Sequence, residues 1–260
     1  MMPTWAAVSV GYFLYVIALA SAMPGICRAG RVRAGTTALV GLAVALPAGV
    51  VTAWWLQSLL LPVAALLLAY RSSGFLWRAP MPRIEAALAG ADRALRVPAI
   101  VGWMPRLLAE FLELAYAGVY PLIPIALALH FTYASTPDAD WFWTVILLTD
   151  YACFAMLPWV QTRPPRAIEA GHPWQARLRV LNLHILDNTS IRMNTIPSGH
   201  AAEALACALI VMDAPAAIVA WMFFNAAAIS AGAVFGRYHY TVDVVLGWAV
   251  AMVTWAVLRN

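Results

Sequence analysis

Long apolar segments alternate with short polar ones along the whole chain. The apolar segments lack the residue-by-residue alternation of strands in a membrane barrel, so each is predicted to be a helix. One helix needs about 20 residues to cross the hydrocarbon core of a bilayer. The candidates lie at about residues 5–23, 36–70 (two short helices), 107–130, 141–160, 198–212, 215–235 and 241–258. The pattern predicts an all-α polytopic membrane protein, a helical bundle of about eight transmembrane helices.

Polar stretches divide these segments. Residues 36–70 carry no charge but are too long for one span, and Trp-Trp-Leu-Gln-Ser at 54–58 is typical of an interfacial turn. Residues 71–106 are polar enough to leave the membrane. Within them, residues 84–95 have apolar positions at helical spacing, which indicates an amphipathic surface helix or else a solvated connector. Residues 161–196 are predicted to be a long polar loop.

Composition agrees with a bilayer environment. The chain is 63% apolar and 11% charged, whereas soluble domains carry about 25% charged residues. All of its basic side chains are arginine, and no stretch interleaves basic with aromatic residues on a polar surface, so no nucleic-acid partner is expected. The three cysteines, Cys27, Cys153 and Cys207, match no metal-ligand spacing and are predicted to be small buried hydrophobes.

Three polar clusters stand where predicted helices begin or end. They are Arg-Pro-Pro-Arg at 163–166, Asn-Thr-Ile-Pro-Ser-Gly-His at 194–200, and Gly-Arg-Tyr-His-Tyr-Thr-Val-Asp at 236–243. If residues 199–235 form a helical hairpin, all three clusters lie on the same side of the membrane. We therefore expect them to converge.

The residue types in these clusters suit phosphate chemistry. A helix beginning at Pro-Ser-Gly presents backbone N–H groups and the positive end of its dipole to an anion, with Ser198 as N-cap. His200 falls in the first turn. His239 and Asp243 are four residues apart and share one face if they lie on a helix, where a carboxylate fixes the histidine tautomer. One histidine can then attack phosphorus while the other protonates the leaving oxygen.

The phrases RPPR, NTIPSGHAAEALA and VFGRYHYTVDVVLG together resemble the type-2 phosphatidate phosphatase and vanadium haloperoxidase superfamily, over about residues 105–260. The resemblance implies a phosphatase-like catalytic core in the C-terminal five helices (101–260), preceded by accessory transmembrane helices and a surface loop (1–100). It implies that His239 forms a phosphohistidine, that Asp243 orients it and that His200 is the general acid. The residues implied to bind phosphate are Arg163 or Arg166, Ser198 and Gly199.

The chain departs from the family pattern at two positions. The lysine of the first motif is replaced by Met156, and the arginine of the third motif is replaced by Ala233. Arg237 is expected to substitute for that arginine, and Arg166 or Arg192 for the lysine, because a guanidinium group binds phosphate in a bidentate manner.

The expected function is hydrolysis of a lipid phosphate or diphosphate by a membrane phosphatase, with no metal or other cofactor. One alternative transfers the phosphoryl group from the same intermediate to an alcohol, since HYTVDV resembles the third motif of sphingolipid phosphotransferases. A non-enzymatic transporter or scaffold with the same fold is another alternative. The sequence identifies neither the lipid nor the oligomeric state.

Several other charged residues have less specific predictions. Arg177, Arg179 and Arg192 are interpreted as solvated or headgroup-facing, and Asp150 is expected to pair within the bundle. Glu110 and Glu113 are either functional or exposed at the interface. Fifteen of the sixteen arginines lie on the side of the three clusters, so the positive-inside rule predicts a cytoplasmic active site, although relatives commonly face outward.

Overall fold

The predicted all-α fold is confirmed by a computed structural model that describes residues 1–169, 171, 174, 176–191 and 193–259. The described residues form twelve α-helices and no strand. The helices are α1 (Thr4–Ala22), α2 (Arg28–Ala45), α3 (Leu61–Gly74), α4 (Pro82–Ala94), α5 (Val97–Trp103), α6 (Arg106–Ala117), α7 (Val119–Tyr133), α8 (Ala139–Ala155), α9 (Arg177–Thr189), α10 (Gly199–Ile210), α11 (Ala216–Phe235) and α12 (Thr241–Leu258).

Each predicted apolar segment corresponds to a helix or a helix pair, but the helices differ in length. Among the described residues, five helical stretches are long and apolar enough to cross a bilayer. Three are α1, α11 and α12; the fourth is α2 with the turn that follows it, and the fifth is α3 with the turn that precedes it. The bent pair α6–α7 adds a sixth if it is one span. The remaining two, α8 and α10, have 17 and 12 residues and are largely buried among the other helices.

The start of α2 differs from the prediction, since this helix begins at Arg28 within the expected basic loop. The guanidinium group of Arg31 donates to the carbonyl oxygens of Ala20 and Met23, which end α1 without partners of their own in the helix. Cys153 and Cys207 are buried as predicted, but Cys27 is exposed. Its sulfur accepts from the Gly30 N–H at 3.4 Å and caps α2.

The predicted span at 107–130 is not straight. Helices α6 and α7 meet at Gly118 with a bend of 58°. Pro121 follows three residues later and has no N–H to donate to the carbonyl of Ala117, so the helical hydrogen bonding is interrupted there. After the bend, α7 packs against α10.

Both polar stretches contain helices. The predicted amphipathic helix is present as α4, and its buried face consists of Glu85, Leu88 and Asp92. The prediction of a loop at 161–196 was wrong over α9, whose 13 residues carry charged and amide side chains that contact the rest of the protein. These two helices cover the end of the bundle where the three polar clusters lie.

Helix α10 is the centre of the bundle and packs against α7, α8, α11 and α12. Its alanines are fully buried, and small side chains of this kind let helices approach closely in membranes. At Gly247, α12 lies so close to α10 that a Cβ atom there would be 2.5 Å from the Ser198 carbonyl oxygen. This packing brings the start of α10 against the start of α12.

Candidate active site

The structure brings the two predicted histidines together. His200 lies in the first turn of α10, and His239 lies in the turn between α11 and α12. Their ring centroids are 6.2 Å apart, and both side chains line the same cavity. The His200 ring stacks on Tyr116 at 5.4 Å and meets the edge of Tyr120 at 6.1 Å. These aromatic contacts hold the His200 ring beside His239 at the edge of the cavity.

His239 and Asp243 are close, but they do not share a helical face as the sequence suggested. His239 lies in the turn before α12, whereas Asp243 is in the first turn of that helix. The distance from His239 Nδ1 to Asp243 Oδ2 is 3.6 Å. The same carboxylate oxygen accepts from the backbone N–H of Tyr240 at 2.8 Å. The same oxygen of Asp243 therefore caps α12 and also lies near the histidine.

Asn194 joins the three clusters, a role that the sequence did not reveal. Its side-chain amide donates to Asp243 Oδ2 at 2.8 Å and to the Thr162 hydroxyl at 3.3 Å. Its backbone N–H donates to the Thr162 carbonyl at 2.8 Å. Asn194 thus fixes the carboxylate that faces His239 and holds the first cluster beside the second.

Ser198 caps the start of α10 as predicted, but its hydroxyl does not face the cavity. The Ser198 hydroxyl accepts from the Ala201 N–H at 3.4 Å, as an N-cap does. This side chain is fully buried and, among the described residues, is not part of the cavity lining. Gly199 and Thr195 line the cavity instead. The placement of Ser198 therefore supports a helix cap rather than a direct phosphate ligand.

Arg166 is the arginine of the predicted set that faces the histidines. It lines the cavity, and its guanidinium carbon lies 5.4 Å from the centre of the Tyr238 ring. One of its nitrogens lies 3.4 Å from the Tyr238 carbonyl oxygen. Since no carboxylate of the described residues is within ion-pair distance of Arg166, its guanidinium group is available to an anion.

Arg163 has another partner. Its guanidinium group binds Glu85 of α4 through two hydrogen bonds, of 3.1 and 2.9 Å. These bonds hold the pKa of Glu85 below its usual value. Arg163 is not among the described residues that line the cavity. The position of Arg163 therefore does not support the phosphate-binding role predicted from the sequence, because its guanidinium group already binds the Glu85 carboxylate.

Arg237 is also engaged by carboxylates. It donates to Asp92 of α4 at 2.6 Å and to Glu169 at 3.0 Å, and its side chain is only 3% exposed. Phosphate binding by Arg237 was a sequence-based expectation, and the two carboxylates leave no free face for it. Asp92 also accepts from the Thr241 N–H at 3.0 Å. Asp92 therefore holds the chain on both sides of His239.

A second buried ion pair supports the aromatic wall of the site. Arg179 of α9 donates to Glu113 of α6 at 2.9 Å. Glu113 also accepts from the Tyr238 hydroxyl at 2.6 Å. Burial raises the pKa of the Tyr238 phenol, which keeps it protonated as a donor. The solvated position predicted for Arg179 was wrong, and the open question about Glu113 is answered by its burial in this network.

The cavity extends from the histidines toward the membrane-embedded part of the bundle. Its volume is about 750 Å³, and apolar residues of α3 and α7 form part of its walls. Three of the lining residues are also among the exposed apolar side chains: Leu60, which directly precedes α3, and Val63 and Leu67 of α3. The cavity thus lies between a polar end with two histidines and an apolar end beside the lipid-facing surface.

Comparison with known families agrees with this arrangement. The family model described as the PAP2 superfamily matches residues 87–257, more than half of the chain. The chain belongs to the PAP2 superfamily. The match confirms the resemblance identified in the motifs and begins inside α4, so the family region includes Asp92 but not Glu85. No curated protein and no solved structure is significantly similar to the chain.

The two positions at which this PAP2 protein departs from the motif pattern are not among the described residues that line the cavity. Ala233 is fully buried, and its carbonyl oxygen accepts from the N–H groups of Tyr238 and His239, each at 2.9 Å. Met156 is 41% exposed and lies outside the cavity lining. Arg192, one of the suggested substitutes, lies outside the described residues. Arg71 at the end of α3 lines the cavity and was not predicted as a site residue.

One expectation about the PAP2 core was wrong. Asp150 of α8 was expected to pair within the bundle, and it is 99% buried, but its Oδ2 atom has no hydrogen-bond partner. It lines the cavity together with Glu203 of α10.

Among the described residues, no three histidine, cysteine, aspartate or glutamate side chains come together as metal ligands.

Proposed function

We propose that the protein is a membrane phosphatase that hydrolyses a lipid phosphate or diphosphate through a phosphohistidine intermediate. The observation that carries this proposal is the position of His200 and His239 at the polar end of a mostly apolar cavity. A phosphate bound between the two rings leaves its hydrocarbon chain in the space between α3 and α7. The exposed side chains of Val63 and Leu67 on α3 border that space, which supports entry of a lipid from the bilayer.

His239 is the proposed nucleophile. Asp243 Oδ2 lies 3.6 Å from Nδ1, and a proton on that nitrogen leaves the lone pair on Nε2. Attack of Nε2 on phosphorus forms the N–P bond and breaks the P–O bond to the lipid. His200 transfers a proton to the leaving oxygen. The buried Nε2 atom of His200 has no hydrogen-bond partner and is free for this transfer.

Hydrolysis of the intermediate completes the cycle. A water molecule gives its proton to His200, and its oxygen attacks phosphorus as the N–P bond breaks. Inorganic phosphate then leaves, and His239 is regenerated. Arg166 and the positive end of α10 stabilise the negative charge on the phosphate oxygens in both steps.

Purified protein in lipid nanodiscs, supplied with a panel of lipid phosphates and diphosphates, tests this proposal. We expect release of inorganic phosphate, loss of that release in His239→Ala, and retention in His184→Ala, whose histidine is exposed on α9. Transfer of the phosphoryl group to an added alcohol, with no release in its absence, would instead identify a phosphotransferase. Absence of any vanadate-sensitive turnover would favour a non-enzymatic protein.

We further propose that the active site faces the cytoplasm. Of the fifteen arginines on the active-site side, nine lie outside the loops that carry the three clusters, at residues 28–33 and 71–106. Among these nine, Arg31 and Arg78 donate to backbone carbonyl oxygens, and Arg106 forms an ion pair with Glu110 at 3.7 Å. The excess of positive charge that remains supports a cytoplasmic location for this face.

A further inference from the structure

Two carboxyl side chains border the cavity beyond the histidines, and the mechanism above does not use them. Asp150 projects from α8 and Glu203 from α10, and both line the cavity. Asp150 is only 1% exposed, and its Oδ2 atom has no hydrogen-bond partner. No arginine or histidine of the described residues forms an ion pair with either carboxyl group.

The position of this pair relative to the phosphate site follows from α10. Glu203 comes three residues after His200, one helical turn or about 5 Å farther into the bundle. The Oδ1 atom of Asp150 lies 3.5 Å from the point that a Cβ atom on Gly199 would occupy. The two carboxyl groups therefore lie beside the part of a lipid that directly follows its phosphate group.

Such a pair is unfavourable without a partner. A carboxylate within a membrane protein is costly unless it is paired, and two neighbouring carboxylates repel each other. Arg71 and Arg166 line the same cavity but do not contact these two groups. A cationic group on the ligand would supply the missing partner. An ammonium group fits the need well, because its three N–H donors can bind both carboxylates while its charge compensates theirs.

We propose that Asp150 and Glu203 form a subsite for an ammonium group, so that the preferred substrate is an amino-lipid phosphate. The proposal rests on the proposed function for the phosphate half of the ligand. A separation of about one helical turn is compatible with an amine on the carbon next to the phosphate-bearing one. A phosphate between the histidines and an ammonium between the carboxylates would then bind opposite charges at the two ends of one headgroup.

Kinetics on a matched pair of substrates test the subsite. The pair is a long-chain amino-alcohol phosphate with the amine next to the phosphate-bearing carbon, and the same molecule with that amine acetylated. We expect kcat/KM to be at least about tenfold higher for the free amine, which corresponds to one good charged contact. In Asp150→Asn and in Glu203→Gln the preference should fall to near unity, mainly through KM of the amine substrate.

Other outcomes are equally decisive. Equal rates of the wild type on both substrates would overturn the proposal, as would variants that lose activity in equal proportion on the two. Asp187→Asn, an exposed carboxyl on α9, serves as the control and should keep the wild-type preference.

A binding experiment separates this proposal from the proposed function. The ligands are the long-chain amino alcohol without phosphate and its acetylated form, and the readout is the rise in Tm of the full-length protein. Stabilisation by the amine alone, absent in Glu203→Gln, would support the subsite even if no phosphatase activity were found. Equal stabilisation by both ligands would exclude the subsite even if lipid phosphates were hydrolysed.

Discussion

Asp92 of α4 accepts a 2.6 Å hydrogen bond from Arg237, a residue 145 positions later in the chain. The same carboxylate accepts from the Thr241 N–H, so its two oxygens hold the residues on either side of the His239 turn. Arg237 itself has a positive φ of 61°, a backbone conformation that non-glycine residues seldom adopt. The ion pair thus holds a turn of unusual geometry that positions His239.

Asp92→Ala should therefore destabilise the protein and lower its activity. Removal of one partner from a buried ion pair costs about 3–5 kcal/mol, because the other charge stays buried. Glu169 still contacts Arg237, which places the expected loss toward the lower end of that range. Thermal unfolding in detergent, with Asp187→Ala as the exposed control, measures the effect. A Tm equal to that of the control would mean that α4 does not hold the His239 turn.

The two histidines should differ in their dependence on the leaving group. His239→Ala is expected to abolish turnover of every substrate, because the phosphohistidine cannot form. His200→Ala should retain much more activity on nitrophenyl phosphate than on a lipid phosphate, since the nitrophenolate leaves without a proton. Steady-state kinetics on both substrates measure this difference. An equal loss in His200→Ala on both would contradict its role as general acid.

The candidate arginines can be separated by the same kinetics. Arg166→Gln should lower kcat/KM by about 100-fold, the usual effect of losing one donor to a developing anion. Arg163→Gln should have a much smaller effect, because Arg163 is partly exposed and binds Glu85 rather than the cavity. The reverse order of the two losses would show that Arg163 turns toward phosphate during catalysis.

These arginines also show what the sequence could predict. The local features were recognisable, since Ser198 as N-cap, the apolar segments and the convergence of His200 with His239 follow from short motifs and spacing. The partners of the arginines could not be recognised from the sequence, because Glu85 lies 78 residues before Arg163 and no local pattern joins them. Arg166 and Arg163 are equivalent in RPPR until the carboxylate of α4 distinguishes them.

The shape of the cavity was hidden for a related reason. The bend at Gly118 and the cavity that α3 and α7 both line are tertiary features, whereas the apolar pattern predicted only that these segments are helical. The division at residue 100 separated α3 and α4 from the catalytic core. In the structure, α3 forms one wall of the cavity and α4 supplies Glu85 and Asp92 to the core loops.

The lowered pKa of Glu85 predicts how the contact with Arg163 depends on pH. A carboxyl group whose pKa is lower in the folded state contributes stability above its ordinary pKa, about 4.3, and loses it as the pH falls through the lowered value. The difference in Tm between the wild type and Glu85→Gln should therefore be constant near neutral pH and vanish in acid. A difference that increased as the pH fell would contradict the assigned ion pair.

Vanadate should inhibit the enzyme, because it adopts the five-coordinate geometry of phosphoryl transfer. A chelator should have no effect, since the proposed steps use only His239, His200 and Arg166. Phosphate release measured with each reagent tests this chemistry. If EDTA removed activity and a divalent metal restored it, the proposed mechanism would be wrong.

The orientation in the membrane can be tested at two exposed loops at opposite ends of the bundle. Asp140 accepts from the N–H groups of Thr4 and Trp5, and Trp141 donates to the carbonyl of Leu258, so both chain ends lie beside the start of α8. The catalytic clusters lie at the other end.

Single cysteines at Thr136 and Ala167, both exposed, mark these two ends once the exposed Cys27 and the two buried cysteines are replaced. If the arginine-rich face is cytoplasmic, an impermeant thiol reagent applied to intact cells should label position 136 and spare position 167. Lysed cells should be labelled at both positions, which controls for reactivity. Labelling of 167 alone in intact cells would place the histidines on the outer face, and the arginines of 71–106 would then need another explanation.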